Sequence, residues 1–228
     1  MPAPEDPQQA MTGPEAEERA QFMMRLRARG IRELRLLRAL ERAPRALFMP
    51  QRYADIAARD IALPIGCGQT APPPSVVAAM IEALAPAPGA RVLEVGTGSG
   101  YAAALLAQLA AEVVSLERIQ TLALEAAARL EAFGLANVRV AWADALVFAP
   151  GGERFDAVLV HALLERPATP LAELLAEGGA LVAAVADPAA GGQRILRLRR
   201  QQAGGTVAET CGAARALTPL VAGLSRAL

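Results

Sequence analysis

The sequence predicts an α/β fold: a doubly wound, mostly parallel sheet preceded by a helical extension. Three observations carry that prediction. From Arg91 onward short apolar strands alternate with helical segments. The turn Gly96-Thr97-Gly98-Ser99-Gly100 joins a buried strand to a helix, and an acid, Glu117, ends the following strand about 20 residues after that turn. With 54% hydrophobic residues in 228, there is ample material for one buried sheet core. The chain is accordingly divided into a lead over 1–14, a helical and substrate-loop extension over 15–88, and the sheet domain over 89–228.

The lead from Met1 is rich in Pro, Gln and Glu and has no apolar core, which is the composition of a disordered segment and not of a signal peptide. Helical composition runs from Glu15 to Ala43, with Ile31, Leu34, Leu37 and Leu40 spaced to share a buried stripe, until Pro44 and Pro50 break it. Asp60 to Pro74, with Gly66, Gly68 and four prolines, reads as loop or short strand; Ser75 to Leu84 reads as a helix with Ser75 as its N-cap. After Pro88-Gly89 the expected order is strand 91–95, helix 100–110, strand 112–117, helix 119–133 closed by Gly134, and strand 137–143. Strands at 155–161, 179–186 and 194–200 follow, with a helix near 170–176. Trp142 is read as a core filler.

Charge and composition exclude several functions. The formal net charge is zero, and nine arginines between Gln21 and Arg52 face only Glu33 and Glu41. No lysine occurs anywhere, so the arginines reflect composition as much as chemistry; the segment is read as a solvated helix face, and nucleic acid is not expected as a partner. No apolar run reaches the roughly 20 residues that a spanning helix needs, and a cytoplasmic protein without a membrane partner is expected. Two cysteines and one histidine argue against a protein-built metal site. Cys67, with no base beside it in its motif, is read as a spacer.

The glycine turn lets the backbone approach a ligand closely while the next helix presents free N–H groups, so a polar small molecule is expected there. Glu117 stands where an acid accepts from ribose hydroxyls. Dinucleotide sites usually read G-x-G-x-x-G, whereas this turn reads G-x-G-x-G with Glu94 two residues before it. An acid there repels a pyrophosphate and attracts a sulfonium or amino group, which favours S-adenosylmethionine over NAD.

Together these residues resemble the protein-L-isoaspartate O-methyltransferases, within the Rossmann-like class I methyltransferases. The resemblance covers most of the chain: Ala43-Pro44-Arg45, Phe48-Met49-Pro50, Leu63-Pro64-Ile65-Gly66 with Gly68-Gln69-Thr70, Val92 to Tyr101, Ser115 to Ile119, Phe155-Asp156, Gly178-Gly179 and Pro219-Leu220-Val221. It implies that Glu94, Gly96, Thr97, Gly98, Ser99, Gly100 and Tyr101 hold the amino-acid end of S-adenosylmethionine. Glu117 and Arg118 then lie at the ribose, and Asp144 and Ala145 at the adenine. It also implies a substrate mouth of Ile65, Gln69, Thr70 and His161, isoaspartyl-containing proteins as partners, and a monomer or weak homo-oligomer. The family pattern continues Ile-Ser-Gln-Pro after Gln-Thr, with the serine at the substrate site; here the stretch is Ala71-Pro72-Pro73-Pro74. Thr70 is therefore the catalytic candidate, as a donor that orients the accepting carboxylate. That carboxylate, with a reference pKa near 4, is ionised at neutral pH without a general base. Two further readings stay open: a methyltransferase of another acceptor with His161 as base, and a cofactor-binding module acting through its basic helical segment.

Overall fold

The computed structural model describes residues 13–165, 170–201 and 205–227. Most of the expected lead lies outside those residues. The helical extension is two helices, not one: α1 (Gly13–Ala28) and α2 (Leu34–Arg42). Gly30, at φ +101°, ends the first; Glu33 starts the second by accepting from the Leu36 amide, while Glu82 Oε1 accepts from the amides of Arg32 and Glu33, each at 2.7 Å. Restarting the helix changes its phase, so Leu36, Leu37 and Leu40 face inward and Leu34 is 61% exposed, out of the expected stripe.

Short 3-10 turns at Arg45–Phe48 and Gln51–Ile56 follow the two prolines, and the expected loop carries a small antiparallel pair, β1 (Leu63–Pro64) and β2 (Thr70–Ala71). Helix α3 (Pro74–Leu84) has Pro73 at its cap position, and Ser75 lies buried inside the first turn instead of capping it. The cap comes from Asp60, whose Oδ1 accepts from the Ser75 amide at 3.1 Å. Burial alone would raise the Asp60 carboxyl, but hydrogen bonds from Ser75 and Arg215 hold it below the usual range.

The sheet domain comprises β3 (Arg91–Val95), α4 (Tyr101–Ala107), β4 (Glu112–Glu117), α5 (Gln120–Ala132), β5 (Val138–Trp142), β6 (Phe155–Leu164), α6 (Pro170–Glu173), β7 (Leu175–Asp187), β8 (Gly192–Arg200) and β9 (Thr206–Ala214). Among the described residues seven strands are ordered β5-β4-β3-β6-β7-β8-β9; the first five run parallel, and β8 alone runs against them, paired antiparallel with both β7 and β9. The chain reverses its winding direction between β3 and β6, and a crevice at such a switch point, beyond the carboxyl ends of the strands, is where this architecture binds ligands. Successive residues of β3, Val92 and Leu93, enter separate apolar cores on the two faces of the sheet. The helical extension covers the Val92 face.

Three expectations need correction besides Ser75 and the stripe. The helix near 170–176 is a single turn, because the chain enters β7 at Leu175. Strand β9 goes unassigned in the sequence because its small and polar residues are mostly exposed at the sheet edge. Trp142 is 38% exposed and donates its indole N–H to the Arg118 carbonyl at 3.0 Å, so it does not fill the core. Among the described residues, no helix is long and apolar enough to cross a membrane.

Candidate cofactor and acceptor site

The site grows from the β3–α4 junction. Gly96 sits at φ +91°, and a Cβ there would stand 3.4 Å from the His161 carbonyl oxygen and 3.6 Å from its Cβ; glycine is what lets this turn press against β6. Gly100, at φ +88°, starts α4 and packs on Ala126 of α5 in the same way. The turn is tied to β4 by the Gly96 amide, which donates to the Leu116 carbonyl at 2.9 Å. Glu117 completes the tie: Oε2 accepts from the Gly98 amide at 2.9 Å and Oε1 from the Ile119 amide at 3.0 Å.

Beneath the turn lies a buried polar chain. Ser115 donates its hydroxyl to Glu94 Oε2 at 2.5 Å, and the Thr97 hydroxyl lies 2.5 Å from that of Ser115. The other Glu94 oxygen has no hydrogen-bond partner, nor has His161 Nε2, and the two atoms are 3.8 Å apart. Burial dominates both groups, raising Glu94 to about 8 and lowering His161 to about 4. Burial thus disfavours the charged form of both groups in the free protein.

Two clefts meet over this floor. The larger lies between the ends of β3, β4 and β6 and includes Ile65, Gln69, Thr70, Gly96, Gly98, Glu117, Arg118, Asp144, Ala145 and His161 in its lining. The smaller runs along Ala71, Pro72, Val77, Thr97, Ser99, Tyr101 and Ala102. Ile65, Thr70, Gly96, Gly98 and His161 line both. The structure therefore brings together every sequence-predicted site residue except Glu94 and Gly100, which line neither cleft. Glu94 is fully buried, and Gly100 is the helix cap.

Sequence reasoning gave no site role to the C-terminal segment, yet Thr218, Pro219, Leu220 and Val221 line the larger cleft. Backbone bonds hold it there: the Leu163 amide donates to the Thr218 carbonyl at 2.7 Å, and that of Leu220 donates to the Leu163 carbonyl at 2.9 Å. Asp144 Oδ2 accepts from the Gly223 amide at 2.6 Å while its Oδ1 accepts from the Leu146 amide at 2.9 Å, so this acid also fastens the segment. The Pro219-Leu220-Val221 motif was the available signal.

Arg45 was likewise left without a role. It is buried, and its two terminal nitrogens donate to the carbonyls of Ala57, Ile61, Ala71 and Pro72 at 2.9–3.4 Å. Burial lowers its pKa. It thus pins the wall of the smaller cleft from behind. Tyr101, in that cleft's lining, has a buried hydroxyl without a partner, and burial raises its pKa.

Strand order, glycine turn and strand-end acid define a Rossmann-like domain of the class I methyltransferase type. The family model described as protein-L-isoaspartate(D-aspartate) O-methyltransferase matches residues 17–224, and the chain belongs to that family. It is 45% identical over 184 residues to a protein-L-isoaspartate O-methyltransferase of Rhodopseudomonas palustris strain BisB5, covering 81% of this chain and 84% of that one. To that of Azorhizobium caulinodans it is 42% identical over 222 residues, covering 96% of this chain and all of the relative. The fold matches a crystal structure of a protein-L-isoaspartate O-methyltransferase from Plasmodium falciparum in complex with S-adenosyl-L-homocysteine. There the TM-score is 0.73, at 20% identity, over 88% of this chain and 97% of that one.

Proposed function

We propose that this protein is an S-adenosylmethionine-dependent carboxyl O-methyltransferase that esterifies isoaspartyl carboxylates in proteins, acting in the cytoplasm. The observation that carries the reading is the pair of clefts sharing a floor of Ile65, Thr70, Gly96, Gly98 and His161. Such an arrangement suits a donor and an acceptor that meet at one point.

The residues fit the cofactor. The larger cleft gathers the glycine turn and two strand-end acids, Glu117 and Asp144, and the turn at Gly96 holds a positive φ that L side chains rarely adopt. Unpartnered buried atoms on Glu94 and His161 lie beneath its floor. In this reading Gly96 to Gly100 and Glu94 serve the amino-acid end, Glu117 and Arg118 the ribose, and Asp144 and Ala145 the adenine. Each Glu117 oxygen already accepts one backbone N–H and keeps a second lone pair for a hydroxyl. S-adenosylmethionine supplies a methyl group on a sulfonium, activated for attack by a nucleophile.

The protein's task is then positioning. The acceptor carboxylate is ionised at neutral pH, so no proton has to be removed from it. Holding its oxygen in line is worth on the order of 7–11 kcal/mol. Thr70, on the shared floor, is the hydroxyl assigned to orient it, and Pro72 closes the far side without an N–H to offer. A base for a hydroxyl acceptor works best with a pKa near the operating pH. His161, lowered to about 4 by burial, does not have one, which argues against the hydroxyl-methylating alternative.

Transfer of labelled methyl from S-adenosylmethionine to an isoaspartyl peptide, with the aspartyl peptide as control, tests the reading. Selective labelling of the isoaspartyl peptide is expected. Tight S-adenosylmethionine binding with no labelling would overturn it.

A further inference from the structure

The smaller cleft is a strange place for an anion. Its lining of Ile65, Thr70, Ala71, Pro72, Val77, Gly96, Thr97, Gly98, Ser99, Tyr101, Ala102 and His161 contains no arginine and no lysine. Two guanidiniums touch its wall from outside, Arg45 through the carbonyls of Ala71 and Pro72 and Arg129 of α5 through that of Ser99 at 3.4 Å, and both are committed to backbone carbonyls. Of the lining side chains only His161 can acquire a positive charge.

We propose that His161, backed by Glu94, is a positioning residue that holds the methyl-accepting carboxylate where the two clefts meet, and that a proton passes from Glu94 to the imidazole as the carboxylate docks. The proposal rests on the carboxyl-methyltransferase reading and adds to it the charge by which the acceptor is recognised.

The geometry supplies both ends of the transfer. Glu94 Oε2 accepts from Ser115, so the proton of the neutral acid falls on Oε1, the atom 3.8 Å from the unpartnered His161 Nε2. That separation is too long for a hydrogen bond and has to shorten by several tenths of an ångström. The proton then leaves Glu94 Oε1 and binds Nε2. Glu94 becomes a carboxylate that keeps the Ser115 hydrogen bond, and the ring becomes a cation with an N–H on each nitrogen. No other reactant is needed.

Burial favours the uncharged pair in the free protein; a docked anion favours the charged one. The surrounding groups set the balance. Glu117 on β4 disfavours a second negative charge at Glu94. Ser115 on β4 favours it. Thr70 of β2 and Tyr101 of α4 face the cleft uncharged, while Arg118 and Asp144 line only the larger one.

The test is calorimetric titration of the full chain, saturated with S-adenosyl-L-homocysteine, by an isoaspartyl peptide and by its isoasparaginyl counterpart. It is run at pH 7 in buffers of differing ionisation enthalpy. The wild type is expected to prefer the carboxylate by about tenfold to a hundredfold, with no net proton uptake because the proton moves within the protein. Glu94→Gln leaves His161 to draw on the buffer, and uptake approaches about one proton per peptide. His161→Asn removes the preference. Circular dichroism and thermal denaturation of each variant report its folding. Equal binding of both peptides by the wild type, or an undiminished preference in His161→Asn, overturns the proposal; wild-type uptake equal to that of Glu94→Gln overturns the part given to Glu94. Methyl transfer by the wild type decides the underlying reading separately.

Discussion

The two clefts share a floor but differ in how they are built. The larger is shaped by backbone and acids: a glycine turn tied to β4, Glu117 and Asp144 already bonded to amides, and a C-terminal segment laid across strand ends. The smaller is walled by proline and alanine and fixed from behind by one buried arginine. In the proposed reading, cofactor recognition is thus spread over main-chain geometry and acceptor recognition over a few side chains. A sequence can alter those side chains without disturbing the fold.

Arg45→Met strikes the wall of the smaller cleft and has the largest expected effect. Four buried carbonyls lose their donor, and we expect a loss of about 3 kcal/mol, or a fall in Tm of roughly 6–12 °C for a chain of this size. Thermal denaturation checks it; an unchanged Tm would mean that the wall holds itself. Gly96→Val strikes the larger cleft. A β-branched residue at φ +91° against the His161 carbonyl is strained, and S-adenosyl-L-homocysteine should bind about tenfold to a hundredfold more weakly by calorimetry.

The shared floor predicts a pH dependence. Glu94, raised to about 8 in the fold from a model value of 4.5, contributes stability that is complete below pH 4.5 and is lost as pH rises toward 8. His161, lowered to about 4 from 6.5, costs stability as pH falls from 6.5 to 4. The two slopes oppose between 4.5 and 6.5, leaving a net decline between pH 6.5 and 8 that Glu94→Gln should abolish in denaturant titrations. An identical decline in that variant would place its origin elsewhere. The smallest effect belongs to Trp142→Phe, which removes one half-exposed hydrogen bond to the carbonyl of Arg118, worth about 1 kcal/mol. Affinity for S-adenosyl-L-homocysteine should change less than about tenfold.

The parallel half of the domain was legible because its strands are apolar runs bounded by glycine turns; 91–95 and 112–117 lie where the pattern puts them. Strand β9 was not, since Thr206 to Gly212 forms an exposed edge strand without an apolar face and is held by main-chain pairing to β8. The cap of α3 was misplaced for a related reason: Asp60 reaches Ser75 across the β1–β2 loop, a contact that local spacing does not encode. Apart from Glu94 and Gly100, the residues named from the sequence for the site line two adjoining clefts, but ionisation was not readable. Glu94 reads as an anion until its complete burial is known. The C-terminal segment was named by motif alone, because backbone bonds to Leu163 and Asp144 put it over the cleft.

The central claim is that donor and acceptor meet over Thr70 and His161, the nucleoside in the larger cleft and the donor's amino-acid end reaching the smaller one at Thr97 and Ser99. A structure of the protein with S-adenosyl-L-homocysteine and an isoaspartyl peptide tests it most directly. The account predicts the nucleoside beside Glu117 and Ala145, with the peptide carboxylate against Pro72, Thr70 and His161. A peptide bound away from the smaller cleft, with His161 touching neither ligand, would contradict it.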